Sequence, residues 1–356
     1  MPAAAATARV LTASGPPFSR RSTAASTMRL RGLSVVSRIA MNRWYRRFDS
    51  IDISSVIVMV IPPETALGDP MIIVTGATGK LGRRTVERLL ERVPADRVGV
   101  SVRDPRAAKD LADRGVRVRQ GSFDDPASLV HAFEGAEQLL LVSLDRTGEE
   151  CVSGHRAAID AAVQAGAGRI LYTSQMGAAH DSRFQPCRDH AATEDLLRAT
   201  GLPWTALRNG FYAASALQFL ESARHTGDIA LPADGPVAWT GHDDLAEAAA
   251  VILADEGRFE GPTPPLTGPV ALDFDAVAAL ASQVTGRPIT RTVVPGDVFR
   301  EQALAHGAPA PVADLMLSVF AAARNGEFTA VDPTMAELIG REPATFGALL
   351  ERAWAE

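Results

Sequence analysis

Cysteine is nearly missing: the 356 residues hold only Cys151 and Cys187. Two thiols so far apart exclude a disulfide scaffold and fit a reducing compartment, so a cytoplasmic location is expected. Lysine also occurs just twice, as Lys80 and Lys109, although Lys and Arg together number 36. With heavy Ala, Pro and Gly use, that bias resembles a GC-rich genome more than a functional demand. No uncharged apolar run reaches the ~18–20 residues that span a bilayer. The longest candidate, Val56 to Ile61, is far shorter. Ser174 lacks a Gly-x-Ser-x-Gly context, which removes a hydrolase. His131, His155, His180, His225 and His306 show no metal-ligand spacing, so no metal is expected. What remains is an ordinary globular composition, 46% hydrophobic and 22% charged. It excludes a disordered or fibrous chain and suffices for one large domain or two small ones.

Charge is unevenly spread. Residues 1–70 carry nine arginines against Asp49, Asp52, Glu64 and Asp69, so the rest of the chain holds −11 of a total of −6. That acidic body has no basic stripe to neutralise phosphates and argues against nucleic-acid binding. The first seventy residues read as an extension: an upstream start-site error or a disordered tail, with a cleaved transit peptide as the second reading. Leu67-Gly68-Asp69-Pro70 directly precedes Met71, and Gly-Asp codons of the GGAGAC type would place a ribosome-binding sequence there.

From Met71 short apolar runs alternate with helical stretches. Strands are predicted at Ile72–Thr75, Val98–Val102, Val116–Arg119, Gln138–Ser143, Arg169–Thr173 and Trp204–Leu207. Helices are predicted between them at Leu81–Arg92, Pro105–Arg114, Pro126–Phe133, Glu149–Ala165 and Asp189–Thr200. This alternation is a βαβ series around a parallel sheet, an α/β fold of doubly wound type. The unbroken run Leu139-Leu140-Leu141-Val142 fits a strand covered on both faces. After residue 208 the pattern changes. Asp243-Asp244 read as the cap of a helix over Leu245–Ala254. A Gly/Pro loop follows at Gly261–Pro269, with helices at Phe274–Val284, Gly296–Ala305, Pro311–Arg324 and Ala344–Trp354. The expected organisation is a dinucleotide-binding domain over 71–208 and a small, mostly helical lobe over 209–356 that walls a substrate cleft.

Thr75-Gly76-Ala77-Thr78-Gly79-Lys80-Leu81-Gly82 follows the first strand and opens the first helix. Gly76 permits the tight turn, Gly79 lets backbone approach a pyrophosphate, and Gly82 lets helix and strand pack closely. The helix start offers free N–H groups and a positive dipole end to phosphate. A lone glycine pattern is weak, and this one is G-x-x-G-x-x-G. Its place at the head of a βαβ series favours dinucleotide binding over a merely structural turn. An acid ~20 residues on, at the end of the second strand, would hold the ribose of NAD. This chain has Arg103 there, which suits the 2′-phosphate of NADPH. Asp104 reads as the cap of the helix that Pro105 begins. Phe123 ends the third strand, where it flanks the adenine or simply packs. Ser143 ends the fourth, where the dinucleotide crosses towards its nicotinamide.

These residues, with Val102-Arg103-Asp104-Pro105, Leu171-Tyr172-Thr173-Ser174 and Leu207-Arg208-Asn209-Gly210-Phe211-Tyr212, resemble the NmrA-like branch of atypical short-chain dehydrogenases. Within it the likeness is to NADPH:quinone oxidoreductases of type 2. It runs from residue 71 almost to the end, strongest in the cofactor half, and Leu338-Ile339-Gly340-Arg341 also fits. The resemblance implies a Rossmann-type sheet with a small C-terminal lobe and NADP(H) as cofactor. It implies cofactor contacts from Gly76, Ala77, Thr78, Gly79, Lys80, Leu81, Gly82, Arg103 and Ser143; Phe123 and Ser174 complete the candidate cofactor set. It also implies that the segment from Asn209 through Ala214, including Gly210, Phe211 and Tyr212, lines the nicotinamide and the quinone pocket.

Most short-chain dehydrogenases use Tyr-x-x-x-Lys, in which lysine lowers the tyrosine pKa. The positions four before Lys80 and Lys109 are Gly76 and Pro105, so that pair cannot exist here. Aligned by the Gly201-Leu202-Pro203 turn, His190 takes the place where related reductases put lysine. It orients the ribose or donates a proton; the opposing reading is a solvated helix residue. Tyr212 is the second catalytic candidate, with a ring to stack and a hydroxyl to donate. Quinone reduction suits a site without a strong acid, because the hydroquinone anion is stabilised and water can protonate it. The loop Gln175–Arg188 and His242 depart from the quinone reductases and leave the acceptor open. The expected function is hydride transfer from NADPH to a quinone or similar small carbonyl, with a homodimer as an open reading of the assembly. The rival is a non-catalytic NADP(H) sensor, and a third reading is another small-molecule reductase or isomerase.

Overall fold

A computed structural model describes residues 71–255 and 257–355; the readings made for residues 1–70 lie outside them. The first six strands are β1 Met71–Thr75, β2 Val98–Val102, β3 Arg117–Gln120, β4 Ala136–Leu141, β5 Arg169–Gln175 and β6 Trp204–Asn209. Between them run α1 Lys80–Leu89, α2 Lys109–Asp113, α3 Pro126–Phe133, α4 Glu149–Gln164 and α5 Gln185–Ala199. Beyond β6 follow β7 Phe211–Tyr212, α6 Ala213–Leu220, α7 Ala223–Thr226, β8 Asp228–Leu231, β9 Trp239–Thr240, α8 His242–Ala254 and β10 Gly261–Pro262. The chain ends with α9 Phe274–Thr285, β11 Thr290–Val293, α10 Gly296–Ala305, α11 Ala310–Arg324, α12 Thr334–Ile339 and α13 Phe346–Ala355.

The main sheet is parallel, in the order β10-β6-β5-β4-β1-β2-β3. The strand order reverses between β1 and β4, so their carboxyl ends diverge into the crevice where doubly wound sheets bind ligands. Alternation along each strand feeds two cores. Val74, Leu140, Leu171 and Leu207 face one layer with Val86, Leu89, Leu245 and Ile252 of α1 and α8. Ile73, Leu139, Leu141, Ile170 and Tyr172 face the other, with Phe133, Ile159 and Leu197 of α3, α4 and α5. Both faces are dry, which is why the strands read as continuous apolar runs. A third core holds Phe274, Phe299, Phe320, Phe328 and Phe346 in the helical C-terminal region.

Several boundaries differ from the sequence reading for physical reasons. β4 stops at Leu141 because the next two amides leave the ladder: Val142 N–H donates to Thr75 Oγ1 at 2.8 Å, and Ser143 N–H to Thr173 Oγ1 at 2.8 Å. The expected Gly/Pro loop contains a strand. Gly261 and Pro262 pair with Thr205 and Ala206 as β10, and proline is tolerated because this is the sheet edge. Residues beyond 208 therefore complete the sheet and, through α8, one of its helix layers. The acids Asp243 and Asp244 do not cap α8; Gly241 does, and both acids lie within the first turn. There they favour the positive helix end and anchor neighbours. Asp243 bonds Arg84 of α1 at 2.6 Å, while buried Asp244 bonds Arg341 at 2.8 Å and accepts from Ala344 N–H at 2.8 Å. Gly340 ends α12 with φ +70°, which turns Arg341 back to α8. Asp244→Ala is expected to cost about 2 kcal/mol, the scale of charged hydrogen bonds lost from a buried acid, read as a lower urea midpoint at unchanged slope. An unchanged midpoint would mean that the clamp contributes nothing.

Candidate functional site

The glycine turn sits at the crevice. Gly76 takes φ +62°, and a Cβ there would stand 3.2 Å from the Val142 Cβ. Gly79 N–H closes the turn on Gly76 O at 2.9 Å. A Cβ on Gly82 would lie 2.3 Å from the same oxygen, so only glycine lets α1 start against the turn. Gly79 is the N-cap of α1 and no side chain caps it. The orphan amides of the first turn are thus left for a ligand, and their dipole favours an anion. Thr78, Gly79 and Lys80 are exposed, whereas Ala77 and Leu81 point into the core and can offer only backbone. A pyrophosphate fits this cradle.

At the end of β2, Asp104 accepts from Arg106 N–H at 3.0 Å and holds the Arg106 guanidinium at 3.0 Å. It is the cap expected for Pro105, and Arg106 keeps its carboxyl below the usual range. The acid is thus occupied and poorly placed to serve a ribose. Arg103 is exposed and forms no hydrogen bond or ion pair with the described residues, which leaves its charge for a phosphate. Across from it, Asp124 forms a two-pronged pair with Arg146 at 2.8 and 2.9 Å. Phe123 is half-buried and packs on the α3–α5 side of the sheet.

The ends of β4 and β5 carry a polar cluster. His155 on α4 accepts from Leu144 N–H at Nε2, 3.1 Å away, so its proton sits on Nδ1. That nitrogen lies 2.9 Å from Thr193 Oγ1, whose own proton goes to Asp189 O at 2.8 Å. Asp189 Oδ2 accepts from Gly148 N–H at 2.7 Å and holds the loop after β4. Ser143 Oγ stands 3.3 Å from His155 Nε2. The fully buried Tyr172 places its hydroxyl 2.6 Å from His190 Nδ1. His190 is therefore not a solvated helix residue: it is half-buried and bonded to the sheet. Burial lowers its pKa to about 3 and that of His155 to about 4, so both rings are neutral near pH 7. Sequence reasoning missed His155 and the role of Tyr172. Their signal is a distance, set by α4 and α5 lying on the same face of β5. Ser174 is buried and gives its proton to Glu194 at 2.7 Å, itself paired with Arg208 at 2.7 Å.

At the end of β6 the chain turns sharply. Asn209 and Gly210 are buried, and a Cβ on Gly210 would lie 2.2 Å from Thr240 Oγ1. The two expected ring residues part company here. Phe211 joins an aromatic cluster, 4.9 Å from Phe328 and 5.5 Å from Trp239. Tyr212 faces the other way, its ring 4.4 Å from that of His242. Burial raises the Tyr212 pKa, partly offset by a hydrogen bond with Asn209. His242 is brought down to about 4 by burial, with help from the charges of Arg84 and Lys80, which puts it on the glycine-turn side of the molecule. Among the described residues no cluster of potential metal ligands occurs, and no helix is long and apolar enough to cross a membrane.

The three depressed histidines fix a pH dependence. Unfolding returns each to an ordinary value near 6.5, so the unfolded chain binds more protons below that pH. Stability is expected to be flat above about pH 7 and to fall progressively between pH 6.5 and about 3. Denaturant midpoints across this range should show a shallower fall in His155→Gln; an identical slope would contradict the assigned burial.

The comparisons match this geometry. Residues 69–346 match the NmrA-like family. The chain is 34% identical over 276 residues to quinone oxidoreductase 2 of Escherichia coli, covering 77% of this chain and 96% of that one. The NADPH complex of an NADPH-dependent quinone oxidoreductase from that species superposes with a TM-score of 0.76 at 32% identity, over 80% of this chain and all of that one. The NADP(H) complex of triphenylmethane reductase from Citrobacter sp. gives a TM-score of 0.74 at 32% identity, over 79% and 99% of the two chains. A dinucleotide crevice without a Tyr-Lys pair and this likeness along nearly the whole described chain lead to one conclusion: the protein belongs to the NmrA-like family.

Proposed function

We propose that the chain is an NADPH-dependent reductase that passes a hydride to a quinone or a similar small conjugated acceptor. The observation that carries it is the pairing of an open, glycine-lined helix start at the β1–β4 crevice with the exposed Arg103 one strand away, which makes no hydrogen bond or ion pair among the described residues. The balance is NADPH + H⁺ + quinone → NADP⁺ + hydroquinone. NADPH supplies the two electrons and one hydrogen as hydride; the remaining proton comes from water.

The protein's part is to bind, orient and exclude water. The first-turn amides of Lys80 and Leu81 receive the pyrophosphate, Lys80 adds charge, and Arg103 takes the 2′-phosphate. Val142 and Ser143, pinned by Thr75 and Thr173, form the rigid floor at the strand ends. Asn209, Gly210 and Tyr212 flank the reacting end, with Phe211 supporting them from the lobe core. The sheet, completed by β10 and covered by α8, serves as the dinucleotide domain, and the helical region built on α9, α10, α11 and α13 walls the acceptor side. A cytoplasmic enzyme accords with two buried free thiols, both raised by burial to about 12 and so unreactive. A homodimer completes the reading.

The test mixes the full chain with NADPH and a panel of quinones under argon and follows the loss of reduced nicotinamide absorbance. Turnover is expected with at least one quinone. Tight NADPH binding with no turnover on any acceptor would instead support a dinucleotide sensor. Arg103→Glu should raise the Kd for NADPH by about 10- to 100-fold, the scale of a lost charge-assisted contact, and leave NADH within about twofold. Equal loss for both would refute the role of Arg103.

A further inference from the structure

We infer that Tyr172 is a positioning residue that holds His190 in its Nε2–H tautomer, so that His190 acts as a neutral hydrogen-bond donor to the acceptor oxygen rather than as an acid. This rests on the reductase reading above.

The tautomer follows from which atoms are free to accept. Tyr172 is fully buried on β5, and its hydroxyl has four polar neighbours: Ser143 Oγ at 3.5 Å, His155 Nδ1 at 3.5 Å, Thr193 and His190 Nδ1 at 2.6 Å. His155 Nδ1 carries a proton, because the rigid Leu144 N–H occupies its Nε2. Thr193 accepts that proton and spends its own on Asp189 O. Ser143 is at the limit of hydrogen-bond length. Only His190 Nδ1 is both close and able to accept. Burial raises the tyrosine pKa and keeps its proton on, so Tyr172 donates. A neutral imidazole that accepts at Nδ1 must carry its proton on Nε2. Nε2 has no partner among the described residues, and it is not sealed in the interior. The ring thus offers one outward N–H held in place by the sheet.

Such a donor matches the chemistry. Hydride arrival places negative charge on the acceptor oxygen, and a preorganised N–H stabilises it without losing its proton. Tyr172 and His155 are the titratable groups that act on the ring, and neither offers His190 a compensating negative charge. The arrangement substitutes for a Tyr-Lys pair by using tyrosine to set a tautomer.

The test uses the full-length protein with ¹⁵N-histidine and long-range ¹H–¹⁵N correlation at pH 7, the His190 signals being assigned by their loss in His190→Gln. Wild type is expected to show the Nε2–H pattern, and Tyr172→Phe a mixture with Nδ1–H. Wild type in the Nδ1–H form, or a tautomer unchanged by Tyr172→Phe, would overturn the proposal whether or not any acceptor is reduced. In turnover, Tyr172→Phe should lower kcat roughly tenfold with little change in the KM for NADPH. His190→Gln, which removes the imidazole N–H from the acceptor oxygen, should lower kcat by about the same factor. In that background Tyr172→Phe should have no further effect, because no tautomer is left to set. An equal loss from Tyr172→Phe in both backgrounds would assign Tyr172 a structural role only.

Discussion

The site depends on one close approach, that of the Gly76 turn to Val142 across the seam between β1 and β4. The strand order reverses there, so the crevice exists by topology. Its shape comes from contacts of a few ångströms. Gly76 can take its left-handed φ and sit against Val142 only without a side chain. Thr75 and Thr173 then draw the amides of Val142 and Ser143 out of the ladder and end β4 early. That gives the crevice a floor tied to three strands. Gly82 brings the start of α1 onto the same turn, so the helix dipole and the floor meet at one point.

On this frame the protein builds two environments. The side facing the dinucleotide phosphates is open and cationic, with Lys80 and Arg103 exposed and Arg106 already committed to Asp104. The side behind β5 is buried, and its imidazoles and phenol are uncharged. His155, Tyr172, Thr193 and His190 form a linked set in which burial suppresses every charge. Binding needs charge, while hydride transfer to a conjugated acceptor needs orientation and dipoles. The absence of a Tyr-Lys pair is consistent with that division, since no group near the reacting end has to hold a strong acid or base.

Much of this was readable in the chain. The βαβ rhythm, the glycine turn and the arginine at the end of β2 are local patterns, and local patterns survive without knowledge of the tertiary structure. Asp104 as a cap is legible for the same reason. The clamp between Asp244 and Arg341 is not, because it joins residues far apart in sequence; the same acids were read as a helix cap from their neighbours alone. The seventh strand was hidden by Pro262, which marks a loop everywhere except at a sheet edge. Phe211 and Tyr212 are adjacent, and only the fold shows that one enters the lobe core and the other meets His242. The bond between Tyr172 and His190 depends on how α5 lies over β5, which no spacing reveals.

The central claim is that the β1–β4 crevice holds NADPH with its pyrophosphate on the start of α1. A crystal structure of the full chain with NADPH tests it most directly. The pyrophosphate is expected on the amides of Lys80 and Leu81, the 2′-phosphate against Arg103, and the nicotinamide beside Ser143 and Asn209. A dinucleotide bound elsewhere, or one whose 2′-phosphate lies away from Arg103, would contradict it.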